Sequence, residues 1–205
     1  MIIFQENNKE YSLIHKKMIS DISFLEKNTG LSESEKITYS KFSNIKRKTE
    51  WLNARYILQN DFKIPAGIIY DKEGKPSLSN GTNISISHSA NEIAIIVSKE
   101  HNVALDLEFV REKILRIKHK FLHQSDKELI AKLDSEIQAL TLVWSAKETM
   151  LKLYGKKDLI FDTQMQVFLS GKNLSGIISN RDFEKNIQLN YILNDKTVLV
   201  WAVDK

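Results

Sequence analysis

Three short stretches carry ionisable groups that a fold alone does not require: Ser87-His88-Ser89, Asp106-Leu107-Glu108, and Trp144-Ser145-Ala146-Lys147-Glu148 followed by Lys152. In the second, Val103, Leu105, Leu107 and Phe109 alternate with Ala104, Asp106 and Glu108. Read as a strand, that alternation sends both carboxylates from one face, about 7 Å apart. Two like charges that close invite a cation. Magnesium takes hard oxygen ligands, so Asp106, Glu108 and Glu148 are the candidate metal ligands, with phosphate oxygens of a bound anion completing the shell. Lys152, Lys75 and His88 would supply positive charge to those phosphates. Residue types and spacing therefore point to metal–phosphate chemistry.

Positioning these groups requires particular elements. On a helix through 140–154, Leu140, Val143, Leu151 and Tyr154 share one stripe with Lys147 near its centre. Trp144, Glu148 and Lys152 run along the flank at i, i+4 steps. Taken alone, Lys147 reads as a snorkelling residue with its stem buried and its ammonium in water. Glu148–Lys152 alone reads as a surface pair worth a few tenths of a kcal/mol. Helical spacing is predicted over 13–27, 33–42, 46–60, 111–134 and 136–154. The run from Asp71 to Pro76, with Gly74 and Lys75, reads as a turn. Ile84–Ile86 and Ile93–Val97 read as a hairpin around Ala90-Asn91-Glu92. Residues 164–169, 187–193 and 198–203 look extended.

A helix containing Trp51 precedes one hairpin, and a helix containing Trp144 precedes another. This coarse repeat predicts two similar halves, with a ligand site expected between them.

The chain has 205 residues, 42% hydrophobic and 27% charged, as folded proteins do. A net charge of +4 fits an anionic partner or ligand. The absence of cysteine excludes a disulfide framework and a thiolate zinc site. No apolar run reaches membrane-spanning length, and the first residues do not read as a signal peptide, so the expectation is a cytoplasmic protein with no membrane partner.

Gly74-Lys75-Pro76, Ile86-Ser87-His88-Ser89, Ala104-Leu105-Asp106-Leu107-Glu108 and Trp144-Ser145-Ala146-Lys147-Glu148 with Lys152, in this order, resemble the signature of the 4′-phosphopantetheinyl transferases of the Sfp-type, surfactin-synthetase-activating class. The basic helix from Lys46-Arg47-Lys48 through Arg55 resembles the family's N-terminal helix, so the likeness spans 46–152. Ala104 stands where the family often has Gly, and Ser85 where it often has Asn. Phe121-Leu122-His123-Gln124-Ser125-Asp126 matches a Phe-Phe-Ser-x-x-Glu element with Leu122 and Asp126 substituted.

The resemblance implies an α/β (α+β) fold of two similar halves, residues 1–103 and 104–205, each a small mostly antiparallel sheet with a long helix, related by a pseudo-twofold. It implies a monomer that moves the 4′-phosphopantetheine arm of coenzyme A, its co-substrate, to a serine of an apo acyl or peptidyl carrier protein. Mg2+, or Mn2+ in its place, would sit on Asp106, Glu108 and Glu148. Lys75, Ser87, His88, Arg47 and Arg55 would hold the cofactor, and Glu148, Lys152 and Lys147 would serve the chemistry. Lys113, Lys118 and Lys120 are candidates for docking an acidic carrier.

Two other classes use similar residues. A different magnesium enzyme acting on phosphodiesters also clusters carboxylates. A non-catalytic basic module would set Lys46, Arg47, Lys48 and Arg55 on a nucleic-acid backbone. Protection of the fold by coenzyme A or by nucleic acid separates them, and no nucleic-acid partner is expected under the transferase reading.

Overall fold

The computed structural model describes residues 1–156, 158–181 and 183–204. The chain forms two compact units, Met1–Glu100 and His101–Lys205. In the first, β1 (Ile2–Asn7) and β2 (Ser12–Lys17) precede α1 (Ile22–Asn28), α2 (Glu33–Ser40) and α3 (Ile45–Asn60). Then follow β3 (Ile68–Tyr70), β4 (Pro76–Leu78), β5 (Asn83–Ser89) and β6 (Glu92–Ser98). The sheet is antiparallel in the order β1-β2-β6-β5-β4-β3. Ala54, Ile57 and Leu58 of α3 join Ile84, Ile93, Ile95 and Val97 in its core.

The second unit opens with β7 (Asn102–Phe109). The short helices α4 (Lys113–Ile117) and α5 (Lys127–Ile130) lead to the long α6 (Glu136–Tyr154) and then α7 (Phe161–Gln164). Four strands complete it: β8 (Met165–Ser170), β9 (Asn173–Asn180), β10 (Phe183–Leu193) and β11 (Thr197–Asp204). Their antiparallel order is β7-β11-β10-β9-β8. Leu140, Val143, Ala146 and Met150 of α6 bury against Ala104, Val198, Val200 and Ala202.

The repeat goes further than a helix and a hairpin. In each unit one strand precedes the helices and pairs with the last strand, while the three preceding strands extend the sheet outward in reverse order. β2-β6-β5-β4-β3 and β7-β11-β10-β9-β8 are the same path, and β1 is an extra edge in the first unit. The α/β (α+β) class with two similar antiparallel halves is what the sequence reading expected.

Two stretches differ from expectation. Residues 13–17 form a strand, not the start of a helix. β2 lies between β1 and β6, so Leu13, Ile14, His15 and Lys16 are all buried, and a continuous buried run erases the alternation that marks a strand. The helix begins only at α1, where Asp21 caps the backbone N–H of Phe24. Residues 111–134 are not one helix either. His123 is extended, its ring nitrogen accepts from the N–H of Ser125, and Asp126 accepts from the N–H of His123. These local bonds replace helical ones. β1, β3, β4 and β9 are strands the sequence reading did not identify.

Helix α6 stops where the chain needs φ = 84° at Gly155, a left-handed value that costs glycine little. In β9, Gly176 serves a packing purpose. A Cβ there would overlap Met150 Sδ and come within 3.2 Å of the Gln166 carbonyl. Gly176→Ala should cost about 1–3 kcal/mol in denaturant titration, as overpacking does. Combined with Met150→Ala, which frees the space, the loss should be smaller than the sum of the two single costs. Additive costs would show that Met150 does not set the limit.

Candidate active site

The second unit assembles the acidic groups through β7 and α6. Asp106, buried on β7, accepts from Lys152 Nζ at 2.7 Å, and the same ammonium donates to the Leu105 carbonyl at 3.0 Å. Ser145 Oγ donates to the Asp106 carbonyl at 3.2 Å, and the Trp144 indole N–H donates to Glu108 Oε1 at 3.2 Å. Thus three α6 residues, Trp144, Ser145 and Lys152, are bonded to Leu105, Asp106 and Glu108 of β7. Glu148 lies on the same flank. Burial, and then the charge of Asp106, push its carboxyl from 4.5 up to about 7; Lys152 pulls the other way and Glu108 adds to the rise. The three carboxylates therefore feel one another, with one ammonium among them. Among the described residues no group of three or more His, Cys, Asp or Glu side chains forms a ready metal cage.

Lys147 is not a snorkelling residue. Its side chain is 0% exposed, as is that of Asp126, whose Oδ2 lies 2.6 Å from Nζ. Nζ also donates to the carbonyls of Phe121 at 2.6 Å and Phe161 at 2.9 Å. An ammonium has three donors, and three acceptors fill them. All three lie within the protein interior, whereas the sequence reading expected Lys147 to act on the leaving group. Asp126 is equally engaged, since Oδ1 accepts from the N–H of Val167 at 2.9 Å and Oδ2 from that of His123 at 2.8 Å. Phe121 and Phe161 also flank the Trp144 ring, with centroids 5.2 and 5.5 Å away. Sequence reasoning gave Asp126 no role; the lysine two turns along an apolar stripe was the available signal, because such a charge, once buried, needs an opposite one.

The remaining expected residues lie in the first unit. Lys75 follows a turn in which Asp71 Oδ1 accepts from the N–H groups of Glu73 and Lys75, and Gly74 takes φ = 85°. Ser87 and His88 are on β5, with Ser87 buried and His88 exposed. Arg47 is exposed in the first turn of α3, its guanidinium 4.8 Å from the centre of the Phe42 ring. Arg55 is the exception. It is 3% exposed, donates from Nε to Glu35 at 2.8 Å and stacks 3.2 Å above the Trp51 ring. A guanidinium so enclosed ties α2 to α3, where the sequence reading expected it to contact cofactor phosphate. Of the lysines expected to dock a carrier, Lys118 pairs with Glu136 at 2.8 Å.

Residues 102–197, the span from β7 into β11, match the family model of the 4′-phosphopantetheinyl transferase superfamily. This bears out the resemblance to the 4′-phosphopantetheinyl transferases at the level of the superfamily. Among curated proteins, the chain is similar to the 4′-phosphopantetheinyl transferase AcpT of Salmonella typhi, 26% identical over 116 residues, which is 53% of this chain and 60% of that protein. It is also similar to AcpT of Escherichia coli O157:H7, 25% identical over 53% of this chain and 59% of the relative, and to that of strain K12, 24% identical with the same coverage. The chain thus matches about three-fifths of the length of these relatives.

Two outcomes are expected. Lys147→Met should cost about 3–5 kcal/mol in denaturant unfolding by stranding the Asp126 charge. The double variant Lys147→Met/Asp126→Leu should be more stable than Lys147→Met alone; equal or lower stability would mean that the pair is not the source of the loss. Second, a carboxyl raised in the fold favours folding while protonated. The Glu148 contribution is therefore full below about pH 4.5 and lost as pH rises through about 7. In chelator, Glu148→Gln should be the more stable protein at pH 8, and the difference should shrink toward pH 5, as read by thermal melts.

Proposed function

We propose that the chain is an Sfp-type transferase that moves the 4′-phosphopantetheine arm of coenzyme A to the serine hydroxyl of an apo acyl or peptidyl carrier protein, releasing adenosine 3′,5′-bisphosphate. The observation that carries this reading is the carboxylate cluster of Asp106, Glu108 and Glu148 with Lys152 at its edge, inside the region that matches the transferase superfamily. A carboxyl raised to about 7 by burial and by its carboxylate neighbours belongs to a site prepared for an added cation or for proton transfer.

The donor set fits Mg2+, or Mn2+: it is all oxygen, and its mutual repulsion falls when a divalent ion is shared. Magnesium is commonly held by one or two carboxylates together with substrate phosphates, which does not need a closed protein cage. Held by Asp106, Glu108 and Glu148, the ion would offset pyrophosphate charge and orient the displacement. The chain's own residues supply the rest. Trp144 holds Glu108 and Lys152 holds Asp106, so the carboxylates are aimed before any ligand arrives. Glu148 would accept the proton of the attacking serine. Lys152 provides the positive charge nearest the departing phosphate oxygen. Lys75, Ser87, His88 and Arg47 bind the phosphates of the cofactor. The protein works as a monomer in the cytoplasm; no helix is long and apolar enough to cross a membrane among the described residues.

Mass spectrometry of apo acyl and apo peptidyl carriers incubated with the protein, coenzyme A and Mg2+ tests this directly. One carrier should gain the mass of a single phosphopantetheine, and chelator should stop the gain. Asp106→Ala should lower the rate at least about a hundredfold while its melt stays cooperative. Full transfer by Asp106→Ala in chelator would remove the metal assignment, and no mass gain on any carrier would remove the reaction.

A further inference from the structure

Glu50, in the second turn of α3, has no part in the motifs and holds an awkward charge. Its side chain is 14% exposed, and its Oε1 is shielded from solvent with no hydrogen bond among the described residues. A carboxylate oxygen removed from water needs a cation nearby. Two approach: His88 Nδ1 at 3.4 Å and Lys46 Nζ at 3.7 Å. The lysine side chain is 74% exposed and one helical turn away, a pair of the weakly held kind. The imidazole is held from a different element. β5 alternates its faces, so His88 shares with Ile84 and Ile86 the face that packs on α3, which brings its ring to Glu50.

We propose that Glu50 is the positioning residue for His88: its carboxylate takes Nδ1 and thereby turns Nε2 outward, toward a phosphate oxygen of the bound cofactor. This rests on the transferase reading, in which His88 meets phosphate. The two nitrogens of imidazole lie on opposite sides of the ring, so fixing one aims the other. With a carboxylate at one end and a phosphate at the other, the ring donates at both. His88 is 46% exposed, so an outward Nε2 is open to an anion.

The sign of the effect separates this from simple electrostatics. Coenzyme A is a polyanion, and deleting a nearby negative charge would by itself tighten its binding. Positioning predicts the reverse. Glu50→Ala should weaken coenzyme A binding about three- to tenfold by calorimetry, yet change it less than about twofold in a His88→Ala background. Should the alanine variant unfold, Glu50→Gln is the substitute. Ring 15N shifts of His88 give a second readout that needs no ligand: Nδ1 should carry the proton in the parent protein, and that preference should be lost in Glu50→Ala. Tighter or unchanged binding in Glu50→Ala, an equal loss in the His88→Ala background, or an unaltered ring would each overturn the proposal. If the parent protein does not bind coenzyme A, the transferase reading fails, while the ring shifts still decide whether Glu50 holds His88.

Discussion

A single buried ammonium organises the second unit. Lys147 sits in the apolar stripe of α6, and its three acceptors come from three places: the carbonyl before the His123 turn, the carbonyl that opens α7, and the carboxylate of Asp126. Desolvating both charges is costly, so the pair is tolerated only with the full set of partners in place. The return is registry. An α6 rotated or shifted by one residue would strand Lys147, and only in the observed setting do Trp144, Ser145, Glu148 and Lys152 face β7. The residue that orders the site does so from behind it.

In front of it, the charges are left deliberately unequal. Asp106 has its ammonium and Glu108 its indole, whereas burial and two carboxylate neighbours drive Glu148 up to about 7. In a core selected only for stability, such a group would be exchanged for glutamine or leucine. Keeping it leaves unfavourable repulsion in the protein, which the proposed cation would relieve. A site of this kind trades resting stability for affinity.

Residues with periodic neighbours were the legible ones. The alternation around Asp106 and the stripe of α6 gave both elements and the face each presents, because one side of each is apolar and the other is not. β2 was hidden by the opposite condition: Leu13 to Lys16 are buried on both faces, including a histidine and a lysine that pair with Glu92 and Asp61. Spacing could place Lys147 on the core side but not say whether its head stayed in water, since that depends on Asp126, 21 residues upstream and folded back by a local cap. Arg55 misled for a related reason. A cation on a basic helix looks available until the carboxylate opposite it, Glu35, is brought in by another helix.

The path of the sheet also bears on how the protein is made. β11 lies between β7 and β10, with Val200 opposite Asp106 and Leu199 opposite Leu107. The acidic strand is therefore synthesised early in its unit but gains its only sheet neighbour, among the described strands, when nearly a hundred further residues have been added. The first unit can close its equivalent pairing of β2 with β6 while the second is still being translated. During that interval β7 lacks its strand neighbour, so the strand that carries Asp106 and Glu108 takes its place in the sheet only at the last step of assembly.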